Sequence, residues 1–414
     1  MGPELLPVPP TRGGAIERWI RDAAVHLHAR GHEVHVIARD HRDGRKQDVM
    51  DGVHYHFVEI PSSIDSGVAA VMFRGFWHYI GVKHLLGMIA PDVVHHHSRP
   101  AGLWLSKGGA PRAKQIISLH SMDYGWSFGY ARWDRCLFNR GFAAATRVLG
   151  VSNFIREHAE QRYPSVIGKS RTVYNGVDGT LFYPPSPDGY GATGPPSPDG
   201  YGGTSPPSPD PPSLAGTSAS FGETGSDLIL YVGRVEERKG VHVLVDAFEQ
   251  VISKQRPRSR LRIVGPHSYW DAKPSTYYQA LCERCAANPR IEVRGPTYDD
   301  RELAAVYRDA AVSVVPSVFP EALGLTSLEA QASGVPVVVS NAGALPESVE
   351  AGKSGLVFEN GNVGQLGEAV LSIVGNDERR RAMGAAAREW VMRTFSWDVI
   401  AAELEQTYVE AVAR

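Results

Sequence analysis

An eleven-residue repeat sits near the middle of the chain, and it limits the fold more than any other feature. Pro184-Pro-Ser-Pro-Asp-Gly-Tyr-Gly-Ala-Thr-Gly194 is followed by Pro195-Pro-Ser-Pro-Asp-Gly-Tyr-Gly-Gly-Thr-Ser205 and by a shortened copy, Pro206-Pro-Ser-Pro-Asp210. Proline removes backbone donors, and Gly, Ser and Asp offer little surface to bury, so this composition builds no core. It lacks the recurring apolar positions that a solenoid would stack. The segment is expected to stay disordered or locally extended, as an expanded linker, with a proline-rich docking role as the alternative. The chain must then fold as separate bodies on either side of it.

Both flanking parts alternate helix and strand. In the first, Gly14 to Arg30 has helical periodicity and Gly31 to Ala38 reads as a turn and a strand. Further strands are expected at Val53–Val58, Val93–His96, Gln115–Leu119, Arg147–Val151 and Arg171–Val173, with Ser152 placed to cap a helix. The second part repeats the pattern, with strands at Asp227–Val232, Leu261–Val264, Ile291–Val293, Val312–Val315, Val335–Val339 and Gly355–Phe358. Alternation of this kind predicts an α/β protein with two doubly wound, parallel-sheet, Rossmann-like domains and a ligand cleft at the strand ends. The expected boundaries are 1–183, a linker at 184–226, a second domain at 227–395, and a terminal helix at 396–414 that returns to the first.

Composition narrows the function. A chain of 414 residues with 43% hydrophobic content can fill two cores. A formal charge of −2 gives no reason to expect a nucleic-acid partner. The three cysteines do not make a disulfide framework, and Cys282-Glu-Arg-Cys285 falls in a helical run without a second ligand pair. The segment Val68 to Ala90 carries Arg74, His78, Lys83 and His84, so it reads as a buried or amphipathic helix and not a span. Without a signal peptide the cytoplasm is the expected compartment, with peripheral membrane contact and oligomeric state left open.

The chemistry gathers in the second part. The apolar run Ala311 to Val315 breaks at Pro316, loops through Glu321 and Gly324, and re-enters a helix near Thr326. Glycine at a helix start lets backbone amides approach an anion, and two carboxylates, Glu321 and Glu329, flank that point. Carboxylates accept from sugar hydroxyls, so the pattern suits a nucleotide sugar; an ordinary strand–helix turn is the plain alternative. Upstream, Tyr231-Val-Gly233-Arg234-Val-Glu-Glu-Arg-Lys239-Gly240 sets an arginine fork and a lysine on a glycine-bounded loop after a strand. Those two cations can bracket a diphosphate. In the first part, Gly13-Gly14 at a helix start could meet a phosphate or an acceptor through its amides. Asp92-Val-Val-His95-His96-His97 ends a strand, and consecutive strand residues face opposite ways, which argues against one metal ion.

Glu321 and Glu329 resemble the E-x7-E motif of retaining glycosyltransferases of family 4, with the GT-B fold. The likeness extends through Glu329-Ala-Gln-Ala-Ser-Gly-Val-Pro-Val-Val338, the G-R-x4-K-G loop, Asp92-Val-Val-His-His-His97 and Asn175-Gly-Val-Asp178. It implies that Arg234 and Lys239 stabilise a leaving nucleotide diphosphate. Glu321 would lie by the donor sugar, Glu329 would bind ribose hydroxyls, and His120 would lie near the reacting sugar. Gly233, Leu323, Gly324 and Leu325 would contact the donor. Ala322 and Leu323 stand where many members have Pro and Phe.

No D-x-D occurs in the chain, so neither metal nor other cofactor is expected beyond the nucleotide diphosphate sugar as co-substrate, with a hydroxyl acceptor. A small natural product or a cell-surface glycan is the acceptor class considered, since the preference for Arg over Lys hints at a GC-rich genome. The alternatives are a non-transferring relative such as a nucleotide-sugar epimerase or a phosphorylase, and, more remotely, a dehydrogenase. The resemblance also implies an apolar strand ahead of Gly2 to Pro10, so the chain is expected to begin late and to lack it.

Overall fold

The computed structural model describes residues 7–9, 14–41, 44–61, 67–122, 132–184, 227–268 and 273–413. The repeat from 185 to 226, and with it the expectation of disorder there, lies outside the described residues. The chain divides into two compact units: Met1–Gly176 with Glu321–Leu323 and Phe395–Arg414, and Val177–Pro320 with Gly324–Thr394.

Among the described residues the first unit holds seven strands: β1 (His35–Arg39), β2 (Gln47–Met50), β3 (Val53–Val58), β4 (Val93–His97), β5 (Lys114–Leu119), β6 (Arg147–Gly150) and β7 (Ser170–Thr172). β4 to β7 form one parallel sheet in chain order, while β1, β3 and β2 form another. β2 runs antiparallel to β3, an edge strand that the sequence reading did not anticipate. β1 and β4 do not pair, yet they feed the same two cores. Val36, Ala38 and Val93 face one shared with helices α1 (Ala15–Ala29) and α13 (Trp397–Val412); Ile37 and Val94 face one under α2 (Gly67–Ile89). Period-two alternation sends successive residues of each strand to opposite faces. Helices α3 (Pro100–Ser106), α4 (Arg132–Ala144) and α5 (Asn153–Arg162) complete the unit. Ser152 caps α5 as expected, its Oγ accepting from the Ile155 amide at 3.2 Å.

Among its described residues the second unit has a six-stranded parallel sheet in the order β10-β9-β8-β11-β12-β13. Its strands are β8 (Leu228–Val232), β9 (Arg260–Val264), β10 (Ile291–Arg294), β11 (Val312–Val315), β12 (Val337–Ser340) and β13 (Gly355–Phe358). The central strands β8, β9, β11 and β12 are short and buried almost throughout, which is what helix layers on both faces of a parallel sheet require, while the edge strands β10 and β13 are partly exposed. α6 (Val241–Ala247) runs through a π turn at Phe248–Ile252 into α7 (Ser253–Gln255). α8 (Thr276–Ala286), α9 (Asp300–Arg308), α10 (Leu325–Ala332), α11 (Val363–Val374) and α12 (Asp377–Phe395) follow. The two cysteines of C-x-x-C lie on α8 as free thiols, and burial pushes Cys285 up to about 12, far from a reactive thiolate.

Both ends of the undescribed repeat are tied to this unit. Arg388 on α12 donates to the carbonyls of Gly179, Phe182 and Ala332. At the far end Asp227 pairs with Arg256 at 2.9 Å.

Candidate functional site

In the second unit, β8 and β11 are neighbours whose chain connections leave in opposite directions, β8 towards β9 and β11 towards β12. That is a topological switch point, where the loops after the two strands separate and leave room for a ligand. The loop after β8 turns at Gly233, whose amide donates to the Val264 carbonyl at 3.0 Å. Val235 donates to the Pro266 carbonyl at 2.9 Å, so the loop follows the end of β9. Tyr231 fixes the turn from inside, its hydroxyl donating to the Arg234 carbonyl at 2.6 Å.

Arg234 and Arg238 share one carboxylate. Glu236 accepts from Arg234 at 2.6 Å through one oxygen and from Arg238 at 2.7 Å through the other. Arg238 was not among the residues read as site candidates, and Glu236 carried no separate signal in the sequence. A 3-10 turn at Glu237–Lys239 then carries Lys239 to Gly240, which has φ 69° and starts α6.

The loop after β11 lies directly against this one. The Arg238 carbonyl accepts from the amides of Val318 and Phe319 at 3.1 and 3.2 Å. A Cβ on Gly240 would sit 1.9 Å from the Pro316 carbonyl oxygen, so only glycine permits the approach. The structure thus brings Gly233, Arg234 and Lys239 to the same, carboxyl-terminal end of the strands as Gly324 and Leu325. Gly324, at φ 92°, precedes α10 and has no side chain with which to cap its first amides, while the Ser327 amide turns back to the Gly324 carbonyl at 3.0 Å. The Leu323 side chain is buried at 1% exposure, so its part in binding can come only through its backbone.

Glu329 projects from α10, is 7% exposed, and accepts from the Tyr307 hydroxyl at 2.8 Å. A carboxylate has several acceptor sites, and a buried one oriented by a phenol is held for directional contacts. α10 itself is pinned from behind. Gln331 donates to the Ser327 and Ser348 carbonyls at 3.2 and 2.8 Å and accepts from Ser354 at 2.9 Å. Glu321 lies in the loop between β11 and α10, partly buried, and groups with the first unit.

In the first unit, Gly14 precedes α1 at φ 119°; Gly13 lies outside the described residues. His120 follows β5, where its ring nitrogen meets His97 Nδ1 at 3.0 Å. Strand alternation puts His95 and His97 on one face, rings 4.5 Å apart. His96 points the other way and bonds Gln115 at 2.9 Å. His95 bonds the Tyr408 hydroxyl at 2.7 Å and Ser118 at 2.8 Å. Trp19 of α1 packs 5.0 and 5.3 Å from the His97 and His120 rings.

Burial pushes His96 and His120 down to about 3 and lowers His95 and His97 well below the ordinary histidine value. All four are neutral at neutral pH. Among the described residues, no group of three or more His, Cys, Asp or Glu is arranged to hold a metal ion. Sequence reading singled out His120 but missed its partner His97, Trp19 and Tyr307. Only the i, i+2 spacing of His95 and His97 could have signalled a shared face.

Residues 13–180 match the family model described as Glycosyltransferase Family 4, and residues 218–390 match that described as Glycosyl transferases group 1. The chain is similar to spore coat protein SA of Bacillus subtilis (strain 168), 26% identical over 410 residues, 98% of this chain and 97% of that protein. It is 37% identical over 187 residues to D-inositol 3-phosphate glycosyltransferase of Corynebacterium glutamicum (strain R), covering 45% of this chain and 44% of the relative. Anabaena HepE, solved in complex with UDP, superposes with a TM-score of 0.70 at 16% identity, over 96% of this chain and 97% of that one.

Proposed function

The chain belongs to the GT-B glycosyltransferases of family 4, and on that premise we propose that it moves a sugar from a nucleotide diphosphate sugar to an acceptor hydroxyl with retention of configuration. The observation that carries this reading is the joining of two loops at the switch point, through the Arg238 carbonyl and the Val318 and Phe319 amides. The contact holds the cationic loop against the loop that leads into α10, at the carboxyl ends of β8 and β11, so two cations and a helix N-terminus can act on one diphosphate.

Charge builds on the leaving phosphate oxygen as the glycosidic bond lengthens. Arg234 supplies a planar fork, Lys239 a point charge, and the amides at Leu325 fixed dipoles, all positioned before the reaction begins. Glu329, oriented by Tyr307, accepts from ribose hydroxyls; Glu321 accepts from the donor sugar. The acceptor's proton passes to the leaving phosphate oxygen as its own oxygen bonds to the anomeric carbon on the same face. By the family resemblance His120 would contribute a neutral ring, which can donate or accept without adding charge. The two side-chain cations take the part a divalent ion plays elsewhere, so transfer is expected to persist in chelator.

The UDP complex of HepE supports trying uridine donors first. Full-length similarity to a spore coat protein favours a surface glycan over a small natural product as acceptor. Thermal shifts against a panel of UDP-, GDP- and ADP-sugars, followed by NMR of the product anomer, test the reading. A donor that stabilises the protein and gives a product of unchanged configuration is the expected result. Stabilisation by none, an inverted product, or release of an isomerised nucleotide sugar without acceptor would overturn it.

A further inference from the structure

Helix α2 has an exposed face that nothing in the reaction uses. Phe76 is 48% exposed, Trp77 48%, Ile80 51% and Met88 63%. Lys83, His84 and Gly87 are exposed between them. These positions follow the i, i+4, i+8 progression of one helical stripe, while Tyr79, Val82 and Leu86 on the opposite side fill the core beneath. Large apolar side chains are seldom left in water as a row, and a row with a lysine and no acid suits a particular neighbour.

Charge around the stripe says which. Helix α2 itself carries Arg74 and Lys83 and no acid, in a chain whose net charge is −2. Lys83 stands beside the Gly108–Gly109 turn, within 3.6 Å of where a Cβ on Gly108 would lie, which brings Lys107 close to the same end of the stripe. Four half-exposed side chains offer roughly 400 Å², about half of the ~800 Å² per partner of a stable protein interface. The patch is small for a dimer. Among the described residues no helix is long and apolar enough to cross a membrane.

We propose that the exposed face of α2 seats this protein on an anionic lipid bilayer, with Phe76, Trp77, Ile80 and Met88 entering the headgroup boundary and Lys83 and Lys107 meeting lipid phosphates. Aromatic rings favour that boundary, and lysine stems reach along it while their ammonium groups stay hydrated. The surface is independent of the donor loops, so binding to lipid requires no sugar nucleotide.

The test is co-sedimentation of the full chain with sucrose-loaded vesicles, one set of phosphatidylcholine alone and one of phosphatidylcholine and phosphatidylglycerol in equal parts. The wild type should pellet with the anionic vesicles at low salt and be released at high salt. The triple variant Phe76→Ser/Trp77→Ser/Ile80→Ser should partition at least about tenfold more weakly, and Lys83→Glu about fivefold. Melting curves should match the wild type, since these side chains lie outside the core. Failure of the wild type to bind, equal binding to neutral vesicles, or undiminished binding of the triple variant would overturn the proposal. A wild-type dimer that the triple variant converts to monomer, without vesicle binding, would assign the face to a second copy instead.

Discussion

The two units hold polar groups in opposite ways. In the second, charged side chains stand on loops shaped by backbone contacts: Gly233 on Val264, Val318 and Phe319 on Arg238, Gly240 against Pro316. In the first, uncharged rings hold one another through side chains, His97 on His120 and His95 on Tyr408, with Trp19 packed across them. A backbone-shaped loop can present net charge to a ligand because its own donors and acceptors are already satisfied. A buried ring cluster cannot keep charge, and instead offers rigid, neutral donors and acceptors.

Removing charge from the second unit should therefore have the largest effect. Arg234→Ala and Glu329→Ala are each expected to lower turnover by ~10²–10³, about 3–4 kcal/mol, with unchanged melting temperature. His120→Gln should cost less in a side-by-side assay of initial rates. Equal losses from His120→Gln and Arg234→Ala would end the division of labour drawn here.

Backbone shape comes next. Gly240→Ala must relieve a 1.9 Å contact with a carbonyl as well as a positive φ, whereas Gly168→Ala in the first unit, at φ +81°, meets nothing within 4 Å. Chemical denaturation should show a loss of ~2–4 kcal/mol for Gly240→Ala against about 1 kcal/mol for Gly168→Ala. A cost for Gly240→Ala no greater than for Gly168→Ala would mean that the loops are not clamped.

Acid should act through the first unit. His96 and His120 are held at about 3 against 6.5 when free, so the folded state resists protons that the unfolded chain takes up. Stability is unaffected by them above about pH 6.5 and falls as pH drops towards 3. At pH 5 one such histidine accounts for a loss of about 2 kcal/mol. Urea midpoints of the wild type should fall faster from pH 7.5 to 5 than those of His120→Gln; parallel lines would show that His120 is not buried as a neutral ring. As small as the effect of Gly168→Ala is that expected of Ser152→Ala, about 1 kcal/mol from the lost cap of α5, read in the same titration at pH 7.5.

Legibility in the sequence followed the same division. The loops of the second unit could be read because their chemistry is local: a strand, a glycine, cations at fixed spacing, a helix. Glu329 was visible as a carboxylate on α10, but Tyr307, which orients it, comes from α9 in a separate stretch of chain. His97 meets His120 only because β4 and β5 pair with His97 opposite Ser118, a register no single-strand pattern contains. β2 escaped notice for a different reason. Gln47 and Asp48 are polar and Val49 is exposed, so the stretch reads as loop, and pairing with β3 at a sheet edge makes it a strand.

Arg388, gathering the carbonyls of Gly179, Phe182 and Ala332, and Arg256, holding Asp227, bear on how this gene can change. Tandem copies in DNA gain and lose units by replication slippage, here eleven codons at a time. Slippage in most proteins would shift one strand against the next. Here each event falls between two posts fixed within one unit, so a lineage can lengthen or shorten the segment while folding and donor binding stay under separate selection. Natural variants differing by whole repeats are then expected to be exchangeable between relatives without retuning the enzyme.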